Sequence, residues 1–278
     1  MTSPSASKPG APDYVLGTSE DEVIRLGFQH RIWARESFDL WERAGFAPGQ
    51  TILDLGCGPG YATVDLAHVV GPSGRVIAID ESQKYVDLLK ARLWGHEARI
   101  VSVLRGDIQR LDLPANSLDG AYARWVLCFV ADPEAVLAGV SRALVPGGVL
   151  AVQDYFNYRA LTLAPRSAAL GRVIDAVEES WRARGGDPDV AGRLPAICAR
   201  HGLSVREIRP HLRVARPGSL LWHWPVSFFR TFVPALVEMG HLTPAEQAAF
   251  EDDWAARSRD PAAFFCTPPY FDLIAVKG

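Results

Sequence analysis

Thr51-Ile52-Leu53-Asp54-Leu55-Gly56-Cys57-Gly58-Pro59-Gly60-Tyr61-Ala62-Thr63 decides the fold of this chain. Ile52, Leu53 and Leu55 read as a buried strand. The strand runs into glycines at three alternate positions, and a helical pattern follows at once. Glycine lets the backbone turn sharply and lets a ligand approach the peptide plane with no Cβ in the way. The spacing is G-x-G-x-G. A dinucleotide fingerprint, G-x-G-x-x-G, would need its third glycine at Tyr61. The pattern therefore points away from a nicotinamide enzyme and toward another nucleoside cofactor.

Outward from this loop, residues 51 to about 154 alternate strand and helix. Strands are expected near 51–55, 75–79, 99–104, 119–124 and 148–153, and helices near 60–70, 82–94 and 133–144. Asp132-Pro133 is a helix start, and Pro146-Gly147-Gly148 is a turn into the next strand. Such alternation with short connections gives a parallel sheet covered on both faces. Residues 1–12 are rich in Ser, Pro and Ala and read as a disordered lead-in. Residues 13–47 read as a helical lid, with Ser19 and Glu22 at capping-box spacing. After 154, helices are expected over 166–184 and 189–201 and a strand over 204–214. An aromatic helix follows Leu220-Leu221-Trp222-His223-Trp224-Pro225 and should kink or break at Pro234. Thr243 to Glu246 has the capping-box pattern, and Tyr270 to Lys277 alternates as a last strand.

The 278 residues suffice for one large domain, and 48% hydrophobic with 22% charged residues is the balance of a soluble globular protein. A net charge of −3 argues against a polyanion partner, so no nucleic acid is expected. No apolar run reaches the roughly 18 residues of a membrane span. Cys57, Cys128, Cys198 and Cys266 are far apart, which argues against zinc or a disulfide framework and for a reducing cytoplasm. No metal ligands are assigned. Cys57 reads as a small residue filling a tight turn.

Ligands of such sheets bind beyond the carboxyl ends of the strands. Four anchors fall there. The first is the glycine loop, where free N–H groups at the helix start can meet a phosphate or a carboxylate. The second is Asp80, which can accept from both hydroxyls of a ribose or can cap the next helix. Gly106-Asp107-Ile108 can accept from an exocyclic amine through Asp107 and donate to a ring nitrogen through the following N–H. The fourth is the strand 119–124, ending in Arg124-Trp125.

The stretch from about 48 to 154 resembles a class I S-adenosylmethionine-dependent methyltransferase, in the style of the small-molecule group that includes the ubiquinone/menaquinone-type enzymes. The resemblance rests on Leu53-Asp54-Leu55-Gly56-Cys57-Gly58-Pro59-Gly60, Ala78-Ile79-Asp80, Gly106-Asp107-Ile108 and Leu144-Val145-Pro146-Gly147-Gly148, in family order and spacing. It implies an α/β Rossmann-like doubly wound sheet of seven mostly parallel strands with an antiparallel last strand, plus helical lid elements. It implies S-adenosyl-L-methionine as cofactor. Gly56, Gly58 and Gly60 would pack on its methionine part, Asp80 would hold the ribose with Gln83 nearby, Asp107 and Ile108 would bind the adenine, and Arg124 would stand at the mouth of strand 4. The pattern Tyr14-x-Leu16-Gly17 with Gln29-His30-x-x-Trp33 resembles leader helices of bacterial members. Tyr14, His30 and Trp33 are lid candidates on that ground, with plain packing as the alternative for Trp33.

The region 155–278 should complete the sheet and supply the substrate wall. Its aromatic residues suggest an apolar or aromatic small molecule, with Tyr155, Tyr158, Trp222 and Phe229 as substrate contacts. His223 is the first candidate for a base and Asp154 the second, against a structural role for the histidine. Thr267-Pro268-Pro269-Tyr270 resembles a motif of DNA amino-methyltransferases but introduces the last strand rather than following strand 4, so it reads as a turn. The expected activity is methyl transfer to O, N or C of a small metabolite of secondary metabolism. The alternative is a non-methylating reaction, such as ring formation, on the same cofactor-binding fold. A homodimer is compatible with this reading.

Overall fold

The computed structural model describes residues 17–278. The lead-in 1–12 and Tyr14 lie outside the described residues.

In chain order the elements are α1 (Glu20–Ala44), β1 (Thr51–Leu55), α2 (Tyr61–Val70), β2 (Arg75–Asp80), α3 (Gln83–Arg92), α4 (Glu97–Ile100), β3 (Val101–Arg105), β4 (Leu118–Arg124), α5 (Pro133–Ala143) and β5 (Leu144–Tyr155). They continue with β6 (Thr162–Ala164), α6 (Ala168–Arg182), α7 (Leu194–Arg200), β7 (Leu203–His211), β8 (Val214–Ala215), α8 (His223–Glu238), α9 (Pro244–Arg259), β9 (Phe264–Cys266) and β10 (Tyr270–Lys277). The main sheet has seven strands in the order β3-β2-β1-β4-β5-β10-β7, with β10 antiparallel to both neighbours. This is the expected doubly wound, mostly parallel sheet. Ile52, Leu53 and Leu55 are buried, as a strand covered by helices on both faces requires. β1 pairs with β2 on one side and β4 on the other, so the order reverses beside the glycine loop. A crevice opens at such a switch point.

Several boundaries differ from the expectation for local reasons. β3 starts at Val101 because residues 97–100 close a single helical turn first. β5 begins at Leu144, and its pairing jumps from Leu118↔Leu144 to Gly120↔Val149, so the Pro146-Gly147-Gly148 turn is looped out within the strand. Ser19 caps α1 by accepting from the Glu22 N–H at 3.1 Å. The Glu22 carboxylate turns instead to the Arg25 guanidinium at 2.6 Å, because a buried charge needs a charged partner more than a cap needs its second bond. Pro234 does not break α8, which runs on to Glu238. The carbonyl it leaves without an N–H is that of Arg230, an exposed position where solvent can serve it. The capping box at Thr243 and Glu246 forms in full.

A second, three-stranded sheet, β6-β9-β8, has no counterpart in the sequence reading. Its strands are two or three residues long, too short to show a period. Phe265 of its strand β9, with Trp181 of α6 and Trp224, Phe228 and Phe229 of α8, lines the aromatic side of the crevice. No helix among the described residues is long and apolar enough to cross a membrane.

Candidate active site

A cavity of about 470 Å³ occupies the crevice, within the range of small-molecule sites. Its two ends differ in construction.

The first end is built on strand termini. The loop after β1 is pinned by the Cys57 N–H to the Ile79 carbonyl at 3.0 Å and the Gly60 N–H to the Cys57 carbonyl at 3.0 Å. Gly56 and Gly58 line the cavity. A Cβ on Gly56 would stand 2.3 Å from Val126 Cγ2, so the loop can pass only without a side chain there. Gly60 is not on the wall. A Cβ there would meet Leu89 Cδ1 at 2.1 Å, so this glycine lets α2 start against α3 rather than making room for a ligand. Cys57 is buried, and burial pushes its thiol well above its ordinary range, so it stays protonated.

Asp80 joins the loop to the next element. One carboxylate oxygen accepts from the Gly58 N–H at 2.8 Å and the other from the Ser82 N–H at 2.9 Å. Ser82, not Asp80, caps α3 through its own hydroxyl. Asp80 lines the cavity, and burial raises its pKa against the lowering effect of those two N–H groups. Asp107 and Ile108 line the cavity too, with Asp107 accepting from the Gln109 backbone N–H at 2.9 Å. Gln83 is elsewhere: it bonds Asp87 at 2.8 Å on the exposed side of α3.

Arg124 lines the cavity and is held from behind. It donates to Ser37 Oγ at 2.9 Å and to His30 Nδ1 at 2.9 Å. A guanidinium can only donate, so His30 Nδ1 accepts and His30 Nε2 carries the proton toward Asp65 at 2.8 Å. His30 is thereby neutral, and burial lowers its pKa. Neither His30 nor Trp33 lines the cavity. Trp33 is fully buried and packs edge-on against Trp125, Trp224 and Tyr270. Both are supports of the wall.

The second end is aromatic. Tyr155, Tyr158 and Phe229 line it, with Trp125, Trp181, Trp224, Phe228 and Phe265. Trp222 does not: its indole stacks on Trp254 and donates to Ser258 at 3.3 Å. Two residues on, Trp224 faces the cavity and donates to Gln29 at 2.9 Å. The two bases named from sequence both fall outside. His223 is exposed, because at the start of α8 the residues on either side of it take the buried face. Asp154 is wholly buried beneath the site and accepts from the N–H groups of Leu127, Cys128 and Tyr155. Burial lifts its pKa to about 6, and its work is to shape the turn after β4. The Thr267-Pro268-Pro269 segment is the connection between β9 and β10, and Pro268 touches the cavity.

Sequence reasoning passed over several wall residues. Asp54 is buried at the end of β1, accepts from Thr63 Oγ1 at 2.6 Å, and is pushed up to about 7 by burial. Its signal was in the glycine stretch itself: a carboxylate flanked by Leu53 and Leu55 in a buried strand. Arg25, Leu26 and Gln29 bring α1 to the cavity, one helical turn apart on one face. Tyr122 was legible only as strand residue, since nothing local says which face of β4 looks into the crevice.

Residues 53–152 match the family described as Methyltransferase domain. A demethylmenaquinone methyltransferase of Lactococcus lactis subsp. lactis is 35% identical over 120 residues, which are 43% of this chain and 46% of that protein. The chain spans 30% to 62% of the length of the curated relatives it matches. Among solved structures, the 4+2 cyclase SpnF aligns at a TM-score of 0.57 with 20% identity, over 87% of this chain and 80% of that one. Geranyl diphosphate C-methyltransferase from Streptomyces coelicolor A3(2) aligns at 0.55 with 17% identity, over 97% and 88%. These two likenesses concern the fold. Residues 53–152 carry a methyltransferase domain of the class I S-adenosylmethionine-dependent kind. The cofactor of that class is S-adenosylmethionine.

Proposed function

We propose that this protein transfers the methyl group of S-adenosylmethionine to O, N or C of a small, largely apolar or aromatic metabolite. The observation that carries the reading is one continuous cavity with a polar end made of strand termini and an aromatic end made by Trp125 and rings from after residue 154. The residues at the polar end fit the cofactor. Gly56 and Gly58 offer bare backbone along the cavity, a Cβ on Gly58 would meet only open space, and Asp80 is a carboxylate fixed by two backbone N–H groups with acceptor capacity remaining. Gly56 and Gly58 would hold the amino-acid part, Asp80 the ribose, and Asp107 with Ile108 the base.

The bound cofactor supplies a methyl group on a cationic sulfur. In the transfer, an electron pair of the acceptor (a lone pair on O or N, a π or carbanion pair on C) would form the new bond to the methyl carbon as the carbon–sulfur bond breaks to give S-adenosylhomocysteine. A neutral acceptor would pass its proton to solvent. What this chain contributes is alignment and dryness. The rings of Trp125, Tyr155, Trp224 and Phe228 exclude water and press the acceptor into line. Tyr155 and Tyr158 are driven upward by burial and stay protonated, so they act as hydrogen-bond donors rather than bases. Arg124 stays in place through Ser37 and through His30 backed by Asp65. The lid role assigned to the N-terminal segment fits α1, which brings Arg25 and Gln29 over the crevice. Four cysteines without disulfides suit a reducing cytoplasm.

A second reading, ring formation on the same bound cofactor, is favoured by one observation: neither His223 nor Asp154 reaches the cavity to take a proton. Calorimetric titration with S-adenosylmethionine and NAD, followed by an S-adenosylhomocysteine release assay over phenols, amines and activated carbon acids, separates the readings. Binding of S-adenosylmethionine with substrate-dependent release supports methyl transfer. Saturable binding without release across the panel supports the second reading, and binding of NAD instead overturns both.

A further inference from the structure

Away from the cavity, the C-terminal half of α2 meets the segment that opens α4. One potential ligand atom from each of His68, His96 and Glu97 lies within 4.8 Å of the other two. The sequence reading assigned no metal, because it looked for ligands by cysteine spacing and His68 lies far along the chain from the adjacent pair His96-Glu97.

The hydrogen-bond geometry at His68 is specific. Its Nδ1 stands 2.8 Å from the carbonyl of Val64, one turn back on α2. A carbonyl only accepts, so Nδ1 carries the proton. In the neutral ring Nε2 then presents a lone pair. That nitrogen faces Glu97 Oε1 at 3.2 Å, another acceptor. Two lone pairs at that distance repel unless a cation lies between them or the ring takes a second proton. The other carboxylate oxygen, Oε2, stands 3.6 Å from His96 Nδ1. The Glu97 side chain is 8% exposed, so its charge is held among these rings rather than in water.

The two histidine–carboxylate separations, 3.2 and 3.6 Å, are close to those of a coordination shell. Nitrogen and oxygen ligands at ~2.0–2.1 Å from a tetrahedral zinc stand roughly 3.3 Å apart. An imidazole whose other N–H is given to a backbone carbonyl is also the usual orientation of a metal-bound histidine. We propose that His68, His96 and Glu97 form a site for a divalent transition-metal cation of the zinc type. The fourth position opens to solvent on the side of His68, whose ring is 56% exposed. The site lies in the last turn of α2, whereas the glycine loop feeds its first turn. The metal would therefore clip α2 to the lead-in of β3 and support the fold, without taking part in the reaction.

The test uses the full chain without a polyhistidine tag, stripped with a chelator and dialysed. Titration with Zn²⁺ at pH 7.5 should give one site per chain, and saturating Zn²⁺ should raise the melting temperature. X-ray absorption of the loaded protein should give two imidazole nitrogens and carboxylate oxygen. His68→Gln and His96→Gln, both at partly exposed positions, should each weaken binding by roughly 10–100-fold and abolish the thermal shift. His201→Gln, which faces Glu134 elsewhere, should change neither. Absence of Zn²⁺ binding in the folded protein, or binding that survives both His68→Gln and His96→Gln unchanged, overturns the proposal.

Discussion

The two ends of the cavity are made by different means. The cofactor end uses backbone: a loop whose shape depends on Gly56, and an Asp80 carboxylate tied to the N–H groups of Gly58 and Ser82. The aromatic end uses side-chain volume, with Trp125 after β4 stacked on Tyr155 of β5 and Trp224 of α8, and further rings from α6 and β9 beside them. A backbone site tolerates little change, because each hydrogen bond leaves a buried partner when broken. A wall of rings is remade more easily, because volume can be exchanged among neighbours. One end is thus suited to a fixed cofactor and the other to a varied acceptor.

The sharpest way to break this comparison is Asp80→Ala. It removes the carboxylate from two backbone N–H groups and, on the proposed reading, from the ribose, at about 1.5–3 kcal/mol for each hydrogen bond to a charged group. S-adenosylhomocysteine should bind at least about 100-fold more weakly by calorimetry, in a protein that still folds. A loss below fivefold would place the cofactor elsewhere.

Next in size is a pH effect at Asp54. Its folded pKa, about 7, lies above the ~3.9 of an unfolded aspartate. The folded state therefore holds the proton more tightly. The stability this confers is fully present below about pH 4 and is lost as pH rises to about 7. Asp54→Asn removes that dependence. Urea denaturation without ligand should give a fall in stability from pH 5 to pH 7 that is larger in the wild type than in the variant by about 2 kcal/mol. Equal falls would mean that Asp54 is ionised throughout.

Phe229→Leu tests the aromatic end. Partial loss of a buried ring should cost about 1 kcal/mol in stability, while the S-adenosylhomocysteine dissociation constant stays within about threefold. A tenfold change would mean that the two ends are not independent. The smallest effect belongs to His223→Ala, at an exposed position. Stability should move by less than about 0.5 kcal/mol, and turnover should stay within about twofold. A loss of turnover near 100-fold would return His223 to the reaction.

The same contrast explains what was legible in the chain. Gly56, Gly58, Asp80, Asp107 and Ile108 belong to short segments at the ends of consecutive strands, so local pattern puts them on one edge. Gly60 and Gln83 share those segments but face α3 and solvent, because a motif fixes where the backbone goes before it fixes where each side chain looks. Trp222 and Trp224 carry nearly identical local signals, yet one packs on Trp254 and the other on the cavity. Their difference is a rotation about the start of α8 that only packing sets. His223 between them attracted a catalytic reading for its chemistry, and its exposure removes the reading.

The sequence by itself determined the strand–helix alternation, the parallel sheet it implies and the placing of the glycine loop, Asp80 and Asp107 at strand ends. Those follow from hydrophobic period, turn residues and glycine spacing, which act over a few residues. Tertiary structure alone decided which aromatics wall the acceptor, that Arg124 rests on His30 and Asp65, and that His68 meets Glu97. Those depend on contacts between segments tens of residues apart, where the geometry of packing chooses among side chains of equal local promise.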